Sequence, residues 1–394
     1  MARPIAQAAR EMLTGQILPF WSRLRDDEFG GFYGYMDYEL QLDPKAEKGC
    51  ILNSRILWFF SEAAALLKDE QAARQADHAF RFLMDHCVDR INGGIYWSLH
   101  YDGTPADTTK HTYNQAFAIY ALSAYYRLTG NEQALALANE LFRIIETRCT
   151  DDEGYLEAFT VDWKPESNEK LSENGVMADK TMNTLLHVFE GYAGLYQASP
   201  SSPVEQALRR ILKIYAEKIY DPKLRRQTVF FDAHYNSLLD LHSYGHDIES
   251  SWLIDWGCGL LGDEQLSRSI GAINSVLADE ILHTAYRDHS VCNEAENGKV
   301  DTTRVWWVQA EAIMGFVNAW KKEPQRTEYR DAAADIWHYI ETVMVDKRPG
   351  SEWFWSVDAQ GNPHHKPIVE PWKCPYHNGR MCMELIRRNP DVQV

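Results

Sequence analysis

The chain has no CxxC pair, no GxGxxG turn after a strand, no phosphate-binding P-loop and no GxSxG nucleophile elbow. Dinucleotide binding, nucleotide-phosphate chemistry and α/β-hydrolase chemistry therefore lack their sequence marks. Its seven cysteines (Cys50, Cys87, Cys149, Cys258, Cys292, Cys374 and Cys382) are odd in number and scattered. That pattern suits reduced thiols rather than a disulfide framework. No run approaches the roughly eighteen apolar residues of a membrane span. The start, MARPIAQAAREMLTGQ, lacks the apolar core of a secretion signal, so a cytoplasmic location is expected. Positive charge is scarce: 40 Lys and Arg stand against 57 Asp and Glu, a net −17 spread along the chain. Such a surface repels phosphate backbones and anionic lipid, which disfavours nucleic acid and membrane as partners. No Pro-, Gly- or Ser-rich linker divides the 394 residues, and QASPSSP at 197–203 reads as a turn between helices. One domain over residues 1–394 is expected, as a monomer or weak homodimer.

Aromatic residues are plentiful. Thirteen tryptophans and twenty tyrosines cluster beside carboxylates, amides and histidines. A sugar cleft needs that mixture, because a ring stacks on the sugar's C–H face while polar groups take its hydroxyls; any single ring is more often core. A short aromatic phrase recurs about every sixty residues. DEFGGFYGYMDYEL starts at Asp27, RINGGIYWSLHYDGT at Arg90, DDEGYLEAFTVDW at Asp151 and QTVFFDAHYN at Gln227. The slot from Asp288, DHSVCNEAENGKVD, is weak and fits mainly by spacing; GSEWFWSVDAQGNP follows at Gly350. Each phrase alternates aromatic and polar residues near turn formers and reads as a short β-hairpin. Between them lie Ala-, Leu-, Glu- and Lys-rich stretches of helical period, twelve helices in all. Six helix pairs joined by hairpins on one side predict an all-α fold, an (α/α)6 barrel. The helix following each hairpin should be the inner one. Arg55, Tyr113, Asn183, His246, Trp306 and His377 lie near the starts of those helices and should converge at one mouth.

His246, in SYGHDIESSW, and His377, in PWKCPYHNGRMCMEL, both open a helix among tryptophans. A helix N-terminus disfavours the imidazolium and keeps such a ring base-competent near neutral pH. Glu249, at i+3 from His246, can share its face and steer the ring. His242 and His246 at i, i+4 with Glu249 invite a zinc reading, but Tyr244-Gly245 should interrupt a helix there and no HExxH is present. No metal and no cofactor are expected. His187 falls one turn after Asn183, as a core histidine or a substrate contact. Arg55 at the edge of an apolar run needs a partner if buried: a salt bridge, or an anionic sugar intermediate. Carboxylates such as Glu173, Asp179, Glu249 and Glu311 leave paired-carboxylate glycoside hydrolysis open on residue types alone.

Seven segments in order, FWSRLRDDEFGGFYGYMDYEL, KAEKGCILNSRILWFFSEA, KHTYNQAFAIYALS, LSENGVMADKTMNTLLHVFE, SYGHDIESSWL, DTTRVWWVQAEA and WKCPYHNGRMCMEL, resemble the N-acylglucosamine 2-epimerase superfamily over nearly the whole chain. The likeness is strongest to its cellobiose 2-epimerase branch. N-acylglucosamine 2-epimerases and mannose isomerases share the paired histidines and are the alternative. The resemblance implies an (α/α)6 barrel that inverts C2 of the reducing-end glucose in β-1,4-linked disaccharides, a small-molecule substrate, without metal or nucleotide. Carried over by position, His246 and His377 match the acid/base pair and Arg55 the enediolate-stabilising arginine. Tyr113, Asn183, His187, Glu249, Trp306, Trp307 and Trp372 match positions that contact sugar or orient the imidazoles.

Overall fold

A computed structural model describes residues 2–172 and 174–394. Among them run twelve helices in six consecutive inner–outer pairs, counting the first outer helix with the last inner one. The inner set is α2 (Cys50–Leu67), α4 (Thr112–Thr129), α6 (Met182–Ala198), α8 (Tyr244–Leu261), α10 (Trp306–Lys322) and α12 (Tyr376–Arg388). The outer set is α1 (5–22), α3 (70–87), α5 (Glu132–Arg148), α7 (202–219), α9 (Glu264–Thr284) and α11 (327–344). Each inner helix packs on the next, and α12 returns to α2, so the ring closes. The (α/α)6 expectation holds.

Residue patterning separates the two rings. On α7, Val204, Ala207, Leu208, Ile211 and Leu212 are buried at i, i+3, i+4, i+7 and i+8, a one-faced stripe against the inner ring. On α2 every residue from Cys50 to Ala64 is buried, because neighbours and core surround it on all sides. That helix is also long and apolar enough to cross a membrane by length and composition, although Asn53, Arg55 and Glu62 interrupt its apolar run. It is instead a wall of the barrel, mostly buried, and carries Arg55 and Glu62.

The two ends of the barrel are built differently. Inner-to-outer turns are tight: a left-handed residue (Lys68, Gly130, Gly262) ends the inner helix, and the next residue (Asp69, Asn131, Asp263) caps the outer one. Outer-to-inner connections are long and hold the strands. The expected hairpins are there in part: Ser98–Leu99 pairs with Pro105–Asp107, and Glu294–Glu296 with Lys299–Asp301. The larger pattern links neighbouring repeats. Lys48–Gly49, just before α2, pairs with Ser98–Leu99 of the next phrase. The same step joins Lys110–His111 to Ala158–Phe159, Lys180–Thr181 to Phe230–Phe231, Leu241–Ser243 to Glu294–Glu296 and Arg304–Val305 to Ser356–Val357. A bridge between Met36 and Val369 closes the circle. The weak phrase at 288–301 takes its place like the others. Local hairpin rules miss this ring because its partners lie roughly fifty residues apart.

Ion pairs fasten three of these links, the first two fully buried. Lys48 meets Asp26 at 2.6 Å, Lys110 meets Asp89 at 3.0 Å and Lys180 meets Asp151 at 2.7 Å. Each aspartate also accepts two backbone N–H groups of the turn that follows it. Burial opposes the charge on Asp89, but the N–H groups of Asn92 and Ile91 and the Lys110 ammonium together pull it down to about 2. Inner helices also approach one another closely. A Cβ on Gly191 of α6 would stand 2.6 Å from the backbone oxygen of Ala116 on α4. Gly191→Ala should therefore spread the α4–α6 contact and cost about 1–3 kcal/mol. Denaturant unfolding checks this, and a midpoint unchanged from the parent would show that the two helices separate freely.

Candidate active site

At the strand-bearing end, the starts of the six inner helices surround a cavity of about 300 Å³. Arg55, Tyr113, Asn183, His187, His246 and Glu249 line it, and so do Trp306, Trp307, Trp372 and His377. All ten residues singled out from the sequence thus meet in one place. Glu173 lies outside the described residues, and Asp179 is not among the lining groups.

Trp307 stands against both imidazoles, its ring centroid 4.8 Å from His246 and 5.3 Å from His377. Gly245 makes room for that ring, since a Cβ there would fall 2.3 Å from it. The glycine does not interrupt the helix: α8 runs unbroken from Tyr244. His246 Nδ1 is 2.7 Å from the Ser243 hydroxyl, so a hydroxyl on the preceding strand holds this ring. Glu249, expected to steer it, turns to Arg380 on α12 instead. His242 is committed to Asp247 at 2.8 Å.

His377 is held by a carboxylate. Its Nδ1 donates to Glu311 Oε1 at 2.7 Å, which fixes the proton on Nδ1 and leaves Nε2 bare. Trp252 donates to the other Glu311 oxygen at 2.9 Å. His187 repeats the arrangement, donating from Nδ1 to Glu190 at 2.8 Å. Arg380 ties these groups together. Its guanidinium donates to Glu190 at 2.6 Å, to Glu311 at 2.7 Å and to Glu249. Three carboxylates cannot all stay charged around one buried cation. Burial raises both Glu249 and Glu311, and their mutual repulsion favours one proton held by the pair. Glu190 overcomes its burial through Arg380 and His187 and drops to about 2. Sequence reading passed over Glu190 and Ser243, saw Arg380 only as a guanidinium donor near His377, and weighed Glu311 only as a hydrolytic carboxylate. The available signal was Arg380 within HNGR, one turn from His377.

Arg55 has a different environment. Only 2% exposed, it makes no ion pair among the described residues. It donates to the Tyr113 hydroxyl at 2.8 Å, and its guanidinium carbon lies 4.2 Å from the Phe117 ring centroid. Neither neighbour neutralises it, so the site holds a buried positive charge facing a cavity, a setting that favours an anion. Several buried polar atoms there also lack protein partners: Asn183 Oδ1, Glu249 Oε2, Arg55 Nε and Trp306 Nε1. A polyhydroxyl ligand would satisfy such atoms. Glu249, Glu311 and His377 converge closely enough to hold a metal ion, but Arg380 already supplies positive charge to both carboxylates.

Fold and site together define an (α/α)6-barrel carbohydrate epimerase. The chain belongs to the N-acylglucosamine 2-epimerase (GlcNAc 2-epimerase) family, whose model matches residues 31–379. It is 51% identical to the cellobiose 2-epimerase of Eubacterium cellulosolvens over 97% of this chain and 98% of that one. Its fold matches that of a sugar epimerase from a ruminal bacterium with a TM-score of 0.97, at 47% identity, over 98% of this chain and all of the other. The cellobiose 2-epimerase of Bacillus thermoamylovorans matches with a TM-score of 0.94, at 44% identity, over 98% and 99% of the two chains.

The cavity's imidazoles, His377 buried and His246 half-buried, make stability depend on pH. Burial, reinforced by His187 and His377, pushes His246 down to about 3, and burial with Arg380 pushes His377 well below its ordinary value. The unfolded chain takes up these protons near the ordinary histidine value of about 6.5, while the folded chain resists. Acid therefore favours unfolding, and stability present above about 6.5 should be lost progressively as pH falls toward 3. Melting temperatures across that window should fall less steeply for His246→Asn than for the parent. Equal slopes would mean that His246 titrates normally in the fold.

Proposed function

We propose that this protein is a cellobiose 2-epimerase. It inverts C2 of the reducing-end glucose in β-1,4-linked disaccharides, turning cellobiose into glucosyl-mannose and lactose into epilactose. One observation carries the mechanism: two imidazoles meet the same tryptophan ring in one cavity, beside a buried arginine that makes no ion pair among the described residues. Ring opening exposes an aldehyde, which acidifies the proton on C2. One neutral imidazole removes that proton, and a planar cis-enediolate forms with negative charge shared by O1 and O2. Arg55 faces that charge in a water-poor pocket, where a fixed cation acts far more strongly than in solvent. The second imidazole, protonated beside the new anion, delivers a proton to the opposite face of C2. The first then releases its proton to solvent, so charge balances over the cycle and each turnover carries a solvent proton into the product.

Glu311 holds the His377 ring, so Nε2 faces the substrate as the base, and the imidazolium that forms there is stabilised by the same carboxylate. Trp306, Trp307 and Trp372 serve as stacking surfaces for the two sugar units. Tyr113, Asn183, His187 and Glu249 take hydroxyls. The reading includes one catalytic domain over residues 1–394, no metal and no cofactor. It also includes a cytoplasmic setting, consistent with seven buried, unpaired cysteines, and a monomer or weak homodimer.

Cellobiose incubated in heavy water and followed by NMR should yield glucosyl-mannose labelled at C2. A ketose product would mean reprotonation at C1 and an isomerase, and free glucose would mean hydrolysis. His246→Asn and His377→Asn should each lower epimer formation by about 10²–10⁴-fold with the fold intact. Turnover near the parent rate in either variant would sink the two-histidine mechanism. Arg55→Lys keeps charge but lacks the planar fork for two oxygens, and its kcat should drop by about 10²-fold or more. Exhaustive chelation should leave the rate unchanged; loss on EDTA treatment that zinc restores would make the Glu249, Glu311 and His377 group a metal site.

A further inference from the structure

A second and larger cavity, of about 560 Å³, lies at the opposite end of the barrel. The C-terminal halves of α2, α4, α8 and α12 form its walls, and the end of α6 adds Gln197. Four rings line it, Trp58, Tyr120, Trp252 and Trp256. The charged groups among them are paired with one another. Glu62 accepts from both Arg127 and Arg387, and Arg387 also donates to Glu384 at 2.8 Å. Two deeply buried N–H groups on lining residues, Trp58 Nε1 and Arg380 Nε, have no partner.

We propose that this cavity is a second saccharide site, which takes a short neutral sugar independently of the catalytic cavity. Trp58 and Tyr120 stack on each other, so Trp256, the part-exposed ring, supplies the apolar face, and the carboxylates and guanidiniums beside it supply the bidentate polar groups that a pyranose uses. An anion is a poorer occupant, because it would have to displace Glu62 from both arginines that hold it. A neutral hydroxylated ligand leaves those pairs intact. Occupancy also reaches the catalytic end. Trp252, whose ring lines this cavity, donates to the carboxylate that holds His377, and Arg380 touches the same carboxylate. A sugar bound below therefore packs against the two side chains that position the catalytic imidazole's partner.

The site stands on the lower cavity and does not require the epimerase reading. Equilibrium dialysis of the intact protein with labelled cellobiose should give two bound disaccharides per chain at saturation. Trp256→Ala removes a ring from the cavity, and Ala65→Trp fills it from an exposed position; each should reduce the count to one. Neither residue lines the catalytic cavity, so both variants should still epimerise cellobiose, which shows that the fold and the catalytic cavity are intact. One disaccharide per parent chain, or two retained in both variants, overturns the proposal. So does inorganic phosphate binding there in place of cellobiose. Failure of the epimerase reading would appear separately, as cellobiose recovered unchanged from the same dialysis cells.

Discussion

Arg380 is buried where three carboxylates converge from three different inner helices, and the geometry of the catalytic end depends on how that charge is shared. Glu190 comes from α6, Glu249 from α8 and Glu311 from α10, while the arginine itself belongs to α12. Two of the three then hold imidazoles, Glu190 on His187 and Glu311 on His377. A buried cation shared among buried anions contributes little net stability, because desolvation offsets most of the attraction. Its consequence is orientation. Removing it would leave two or three acids unpaired in the core, and they would take up protons or draw in water, releasing both rings from their fixed tautomers.

The strand ring at the mouth solves a related problem. Long loops that carry functional side chains are ordinarily mobile. Here strand pairs to the neighbouring repeat pin them, and in three of them an aspartate also fastens the turn. Closure through Met36 and Val369 leaves no end of this circle free. The cavity thus sits on a frame in which each repeat positions the residues of the next. The helix starts beneath can hold polar and charged groups with few local partners.

Much of this was legible in the sequence, and for identifiable reasons. The sixty-residue aromatic phrase and the helical periods between marked six repeats. The odd residues at each inner-helix start marked the mouth. Assignment of roles leaned on resemblance more than on spacing, since a lone histidine at a helix start reads equally well as a cap. What escaped was long-range. Glu190, Glu249, Glu311 and Arg380 share no local pattern, and nothing in SYGHDIESSW indicates that Glu249 would leave His246 for an arginine 131 residues away. Gly245 misled for a steric reason. A glycine in a first turn suggested a break, whereas the missing Cβ is space for Trp307.

The repeat also bears on why a barrel of this kind suits an anionic intermediate. Six inner helices direct their N-termini at one cavity, and each end carries partial positive charge in its unsatisfied N–H groups. Their summed field disfavours imidazolium in the resting site, in line with the depressed His246 and His377. The same field favours an enediolate once it forms. As negative charge develops on O1 and O2, the penalty on a protonated histidine beside it falls, so the acid needed for the second step becomes accessible only when the intermediate is present. Arg55 adds a whole charge to that field and makes no ion pair among the described residues. The fold's symmetry therefore supplies fixed electrostatics where charge appears, and the side chains that break the symmetry decide which face of C2 receives the proton.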